Sequence, residues 1–171
     1  MHSLRFFVFF RQLTFTAMIK KLSNEQALPQ IKQFCIYRER CNSEVKEKLY
    51  SFGLHKKDVE QHISQLIEEK YLNEEHFAIQ FAGGKFRMNQ WGRVKIKHAL
   101  KQKQVSEYSI KKALKEISAT DYKRTLHKLA AQKLKTLKNE KNIYIKKKKL
   151  QDYLLQKGYE SELMREVLDK N

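Results

Sequence analysis

The chain has 171 residues, of which 36 are Lys or Arg and 19 are Asp or Glu, so its formal net charge is +17. It contains one Pro and five Gly, and this low share disfavours a β-sandwich, a barrel or a glycine-rich nucleotide-binding fold. Its two cysteines exclude a disulfide framework. Its apolar share of 41% excludes a wholly disordered chain.

The first 17 residues are predicted to be a disordered upstream extension. The apolar run Phe6–Phe10 follows Arg5, as in a signal peptide, but it is short, and Phe15 stands where a cleavage site needs a small residue. Met18 is a more natural start, so we expect residues 1–17 to be dispensable. No segment approaches the roughly 18 apolar residues of a membrane span, and we expect a cytoplasmic protein.

An internal repeat predicts the fold. A helical pattern followed by a turn residue and an apolar residue occurs three times, with Gly53, Gln104 and Gly158 at equivalent positions. Glycine suits the left-handed conformation just past a helix end, so Gln104 predicts a strained or different helix end. The predicted architecture is all-α, with three tandem three-helix repeats, similar to helix-turn-helix units, in an elongated array.

The three repeats are expected to have the same internal order of helices. The predicted repeats are residues 18–71, 72–117 and 118–171. Asn73, Ser106 and Thr120 are predicted to cap helices, because their side chains can accept hydrogen bonds from the first turn. Apolar residues at helical spacing form the predicted core faces: Ile31, Phe34, Cys35, Val59, Ile63, Leu66, Ile67, Phe77, Ala78, Phe81, Ile96, Ala99, Leu100, Tyr122, Leu126, Leu129, Ala130 and Leu137. The aromatic residues predicted to pack between helices are Tyr37, Tyr71 and Trp91.

Positive charge is concentrated in the second and third repeats, which carry net charges of +6 and +7, against +2 for the first. This asymmetry predicts a polyanionic partner. Arg93, Lys97 and Lys101 are four residues apart on one predicted helix and would form a basic stripe. Lys85 and Arg87 lie shortly before this helix and extend the candidate surface.

A second basic segment, Lys146–Lys149, is more ambiguous. Four successive helical residues point in four directions, so no more than about two of these lysines can face one partner. Lys146 and Lys149 are the candidates for contact. Binding to phosphates through such groups would weaken steeply with salt, because counterions are released.

Several short motifs carry a resemblance to a known family. They are Tyr37-Arg-Glu-Arg, the segment Glu44–Leu49 with Gly53, Tyr71-Leu-Asn-Glu with Phe77-Ala78, Gly84-Lys-Phe-Arg, Trp91-Gly92 and the segment Ile96–Leu100. In these motifs the chain resembles the RecX family of regulators of the RecA recombinase. The resemblance covers about residues 27–168 and is densest over 37–114.

The chain departs from the family pattern at three places. Lys70 stands where the family usually has Gly, and Gly83 lies where an Arg is common. Cys41 replaces a Ser that often caps the second helix, and Asn42 is expected to take over that cap. The loss of the Arg removes one possible contact with a filament.

The resemblance implies a protein without catalytic residues or cofactors that docks in the helical groove of RecA assembled on single-stranded DNA. It would limit filament growth or activity, as a negative modulator. We expect a monomer that contacts RecA and, nonspecifically, the DNA backbone. The candidate contact residues are Lys85, Arg87, Arg93, Lys97, Lys101, Lys146 and Lys149.

Two alternative functions remain open. A free-standing duplex reader would use helix-turn-helix units, but the predicted third helices carry Lys and Ser and no Arg, Asn or Gln in register for base edges. A nonspecific RNA-binding or ribosome-associated basic protein would show salt-sensitive binding that does not depend on RecA.

No catalytic or metal site is recognisable. The six histidines show no ligand spacing with cysteines or acids. Cys35 and Cys41 are predicted to point to different sides, so they form neither a redox motif nor a metal pair. The segment 83–85, Gly-Gly-Lys, lacks the flanking residues of a phosphate-binding loop.

Overall fold

The structure, a computed structural model, describes residues 21–169 and has nine α-helices and no β-strand within that range. The helices are α1 Asn24–Tyr37, α2 Asn42–Ser51, α3 Lys56–Glu68, α4 Glu74–Asn89, α5 Arg93–Gln102, α6 Glu107–Lys115, α7 Ala119–Thr136, α8 Ile143–Lys157 and α9 Ser161–Asp169. They form three successive groups of three, which confirms the predicted all-α tandem organisation. The predicted extension and Met18 lie outside the described residues.

Side-chain caps begin several of these helices. Asn73 and Ser106 each accept a hydrogen bond from the backbone N–H three residues further on, at 2.9 and 3.3 Å, as predicted. The predicted cap at Thr120 is wrong, because α7 already begins at Ala119. Ser118 caps this helix through its hydroxyl, 3.3 Å from the backbone nitrogen three residues on. The hydroxyl of Ser118 therefore provides the cap that was expected from Thr120, two residues later.

Left-handed residues end the second helix of each repeat. Gly53 has φ = +80° and Gly158 has φ = +87°, as predicted. Gln104 adopts φ = +60° at the equivalent position, which is a strained conformation for a residue with a side chain. Lys70, at the end of α3, has φ = +62°, so glycine would fit this position with less strain.

The buried side chains form two cores rather than one in each repeat. The first core lies within α1–α3 and includes Cys35. The second runs through repeats 2 and 3 and also receives Cys41 from the start of α2. The two thiols therefore lie in different cores, and burial raises the pKa of the Cys35 thiol to about 11. Repeat 1 is one packing unit, and repeats 2 and 3 together form another.

Expectations about individual side chains have different outcomes. Tyr37 is 82% exposed, so its predicted packing between helices is wrong. Ile67 is 49% exposed and does not belong to the predicted core face, because α3 turns it toward solvent. Tyr71 is half-buried against the first core and Trp91 against the second, as predicted. Asn42 does not replace the missing cap, because it is already the first residue of α2 and Cys41 holds the cap position without a side-chain cap bond.

The second helices of repeats 2 and 3 meet end to end through their backbones. The Gly92 N–H donates to the Lys157 carbonyl at 2.8 Å, and the Val94 N–H donates to the Gly158 carbonyl at 3.1 Å. A Cβ atom added to Gly92 would lie 2.1 Å from the Gly158 oxygen. This close approach of two backbones explains the glycine after Trp91.

The junction between repeats 1 and 2 relies on polar side chains instead. The Ser43 hydroxyl donates to the Lys103 carbonyl at 2.8 Å. The Lys103 ammonium forms an ion pair with Glu44, with 2.6 Å between Nζ and Oε1. His76 Nδ1 lies 2.9 Å from a carboxylate oxygen of Glu39. At both junctions the start of one second helix contacts the end of another. Backbone hydrogen bonds join repeats 2 and 3, whereas side-chain hydrogen bonds and an ion pair join repeats 1 and 2.

Candidate functional site

Aromatic rings and lysines alternate along repeat 2 up to its junction with repeat 3. The Lys85 Nζ lies 5.4 Å from the ring centroid of Phe81 and 4.9 Å from that of Trp91. The Lys95 Nζ lies on the same indole, 4.8 Å from its centroid, and donates to the Gln156 carbonyl of repeat 3 at 3.0 Å. One half-buried indole thus contacts two ammonium groups.

The arrangement continues on repeat 3. The Lys157 Nζ donates to the Asn89 carbonyl of repeat 2 at 3.3 Å and lies 5.9 Å from the Tyr153 ring centroid. The Lys133 Nζ lies 5.3 Å from the same ring. We call these seven residues the lysine–aromatic row: Phe81, Lys85, Trp91, Lys95, Lys133, Tyr153 and Lys157.

The four lysines of this row are not neutralised by acidic neighbours. Within residues 21–169, no carboxylate oxygen lies within 4.0 Å of the Nζ of Lys85, Lys95, Lys133 or Lys157. Clustered charge of one sign creates a local potential that attracts polyanions. The three rings of the row are partly buried against the core of repeats 2 and 3 and hold the ammonium groups through cation–π contacts. The row therefore has the chemistry of a surface that binds polyanions.

The two repeat junctions differ in charge at equivalent positions. Glu44 and Lys95 are each the third residue after the cap of their helix, and Lys103 and Lys157 each precede the left-handed residue at the helix end. At the junction of repeats 1 and 2, the Glu44 carboxylate therefore pairs with the Lys103 ammonium. At the junction of repeats 2 and 3, the equivalent residues are both lysines, and each ammonium donates to a backbone carbonyl of the other repeat. Their positive charge is not paired with a carboxylate and stays available to a partner.

Arg93 does not lie on the predicted basic stripe, because its side chain turns inward. Its Nη2 donates to the Ile117 carbonyl at 3.1 Å, and its Cζ lies 4.3 Å from the Tyr122 ring centroid. Its backbone N–H donates at 2.8 Å to the Tyr122 hydroxyl, which donates in turn to Glu160 at 2.6 Å. Burial and the bond to Glu160 raise the pKa of the Tyr122 hydroxyl. Arg93 thus stabilises the junction of repeats 2 and 3.

The other two stripe residues, Lys97 and Lys101, are similarly exposed and share one acidic partner. Lys97 and Lys101 lie 3.6 and 2.5 Å from the carboxylate oxygens of Glu107, on the start of α6. The two hydrogen-bonded ammonium groups hold the pKa of the Glu107 carboxyl below its usual value, with Lys101 the larger cause. An ionised Glu107 therefore offsets part of the positive charge on this face.

The remaining predicted contact residues are dispersed. Lys149 forms an ion pair with Glu140, at 2.8 Å, whereas Lys146 has its side chain half-buried on the same helix. Arg87 is exposed and lines a separate cleft with Asp121. Of the seven predicted residues, the structure places only Lys85 in the lysine–aromatic row.

Sequence reasoning missed three of the four row lysines, although a local signal marks two of them. Within the row, Phe81 with Lys85 and Tyr153 with Lys157 are four residues apart on one helix, which brings their side chains together over one helical turn. Trp91 with Lys95 has the same spacing across the start of α5. The signal is not specific, because it also occurs outside the row at Phe52 with Lys56, Tyr108 with Lys112 and Tyr144 with Lys148. Lys133 has no such signal, because it reaches Tyr153 from a different helix, α7.

Neither a metal-binding cluster nor a membrane-spanning helix is present among the described residues. No group of three His, Cys, Asp or Glu side chains in residues 21–169 is placed to hold a metal ion. In the same part of the chain, none of the helices has the length and apolar character needed to cross a membrane.

Comparison with known proteins identifies the repeats. Two family models match the chain: RecX, second three-helix domain, over residues 73–114, and RecX, third three-helix domain, over residues 120–168. The regulatory protein RecX of Clostridium tetani is 35% identical over 128 residues, which is 74% of this chain and 58% of that protein. The one from Clostridium perfringens is 36% identical over 121 residues, 70% of this chain and 56% of that protein. The chain thus spans somewhat more than half the length of these curated relatives.

Solved structures show the same fold. RecX from Lactobacillus salivarius superposes with a TM-score of 0.79 at 19% sequence identity, over 86% of this chain and 95% of that one. Another crystal structure of regulatory protein RecX gives a TM-score of 0.78 at 20% identity, over 86% of this chain and 73% of that one. Together the two family models match more than half of the residues, in the repeats where the structure has its successive three-helix units. The chain therefore belongs to the RecX family.

Proposed function

We propose that this protein is a negative modulator of RecA recombinase that binds in the groove of the RecA filament on single-stranded DNA. The observation that supports this function most strongly is the lysine–aromatic row, which crosses the junction of the two repeats that match the family models. A partner with regularly spaced negative charge can contact such a row along both repeats.

The mechanism is steric and electrostatic. A row that extends over two repeats can bridge adjacent subunits of a filament and restrict their relative movement, which would slow ATP turnover and strand exchange. The lysines contact the DNA backbone without reading its sequence, since phosphates carry no sequence information. The protein acts as a cytoplasmic monomer and binds rather than catalyses.

RecA-dependent ATP hydrolysis on single-stranded DNA tests this function. We expect the full chain, titrated against RecA from the same organism, to suppress hydrolysis at less than one molecule per RecA subunit, because one bound molecule affects neighbouring subunits. A pull-down should retain RecA at the same concentrations. Unchanged hydrolysis together with no retention of RecA would contradict the proposal.

A second candidate function is that of a free-standing basic DNA- or RNA-binding protein, and the four row lysines without an acidic partner favour it. Without RecA, we expect binding to single-stranded oligonucleotides to fall with salt at a log–log slope of about −3, if all four row lysines contact phosphates. We also expect less than about tenfold discrimination between sequences. Fluorescence anisotropy over a salt series measures both. Strong preference for one duplex sequence would instead indicate a sequence reader.

A further inference from the structure

The second helices α2, α5 and α8 end in the same type of contact. In each, the carbonyl just before the left-handed residue accepts a hydrogen bond from another part of the chain. The Lys157 carbonyl accepts from the Gly92 N–H, at the start of α5, and the Lys103 carbonyl accepts from the Ser43 hydroxyl, at the start of α2. Thus the start of α5 covers the C-terminal end of α8, and the start of α2 covers the C-terminal end of α5.

At the end of α2 a short segment of chain takes the place of a preceding repeat. The Phe52 carbonyl accepts from the Leu22 N–H at 2.9 Å. A Cβ atom added to Gly53 would lie 3.0 Å from the Lys21 Cγ and 3.4 Å from its Cα. The Cβ direction of Gly158 is covered in the same way by Lys95, on α5. Residues 21–22 therefore occupy the position that the start of a second helix occupies at the other junctions.

The opposite end of this series is open. Within residues 21–169, the first turn of α8 does not lie on the end of another second helix. It carries three apolar side chains with large exposed fractions: Ile143 at 48%, Tyr144 at 83% and Ile145 at 44%. Apolar side chains at the uncovered end of a repeat array are a potential interface.

We propose that Lys21 and Leu22 form an end cap that blocks head-to-tail association of this protein with a second copy. When the cap is displaced, the first turn of α8 in one copy docks on the uncovered end of α2 in another. The contact would extend the series of second-helix junctions through the apolar side chains of this turn, since the Tyr144 and Ile145 N–H groups already donate to the Asn142 side chain. It also joins the positive end of one helix dipole to the negative end of another, which is favourable.

The first turn of α8 and the end of α2 lie at opposite ends of the repeat array. A contact between them is therefore heterologous, and each added copy would leave a free surface for the next one. An array of repeats needs such a terminator to stay a single molecule. This inference concerns the ends of the array and does not depend on the function proposed above.

The substitution Leu22→Pro tests the cap, because proline has no backbone N–H to donate to Phe52. We expect the sedimentation coefficient of the full-length L22P variant to rise with protein concentration, while that of the unsubstituted chain stays constant. Adding Tyr144→Lys should return the variant to the constant value, because it places a charge in the docking turn. Far-UV circular dichroism checks that each variant is folded.

If Leu22→Pro does not fold, Lys21→Glu tests the same cap, since it places a negative charge at the carbonyl end of α2. A folded cap variant with a constant sedimentation coefficient would overturn the proposal. Association that persists in the variant with Tyr144→Lys would overturn it as well, and so would association of the unsubstituted chain.

Discussion

The substitution Gly92→Ala is expected to lower the free energy of unfolding of repeats 2 and 3 by about 3 kcal/mol. Its new Cβ atom would lie 2.1 Å from the Gly158 oxygen, 2.3 Å from the Gly158 carbonyl carbon and 2.5 Å from the Tyr159 nitrogen. All three are backbone atoms, so no flexible side chain can move aside. The two hydrogen-bonded helix ends must separate to accommodate the methyl group.

Urea denaturation followed by the fluorescence of Trp91 measures this effect, since the indole packs against the core of repeats 2 and 3. Gly84→Ala is the matched control, because a Cβ atom there has no neighbour within 4 Å. In the middle of α4, this alanine should stabilise the protein by about 0.5–1 kcal/mol. Equal stabilities of the two variants would contradict the role of the close backbone approach.

The second large effect is expected for the lysines at the junction of repeats 2 and 3. Replacing both Lys95 and Lys157 by Gln should raise the concentration needed for half-maximal inhibition of RecA by about tenfold or more, since two phosphate contacts are lost. Gln retains a donor for the carbonyls that these lysines contact. Inhibition of RecA-dependent ATP hydrolysis provides the measurement, and Trp91 fluorescence checks the junction.

The control for this pair is the double substitution of Lys97 and Lys101 by Gln. These lysines are already paired with Glu107, so we expect a change of less than about threefold, as for exposed ion pairs. A larger effect from the control than from the junction pair would assign the contact to the exposed face of α5 and contradict the role of the lysine–aromatic row.

The all-α fold was predictable because its signals are local. Apolar residues at helical spacing, capping side chains and turn residues each act within a few positions of the chain. The cap of α7 shows the limit of this reasoning, because Ser118 and Thr120 carry equivalent hydroxyl groups and the start of the helix selects between them. Tyr37 shows another limit: its aromatic character indicates packing, but the chain leaves the helix there and exposes it.

The candidate site was only partly predictable. The sequence indicated that repeats 2 and 3 carry the basic surface, and it identified Lys85. It also placed Arg93 on a solvent-facing stripe, whereas the structure turns this side chain toward Tyr122 and the Ile117 carbonyl. A helical period specifies which residues share a face, but a long flexible side chain follows the hydrogen-bond acceptors that neighbouring helices supply.

By itself, the sequence determined the three helical repeats, their left-handed ends at Gly53 and Gly158, and the excess of positive charge in the last two repeats. Only the tertiary structure decided which charges remain available to a partner. Lys95 and Lys157 are far apart in the chain, and they come together because two helix ends meet through a glycine. Contacts between repeats depend on the fit of both surfaces, and no local pattern specifies that fit.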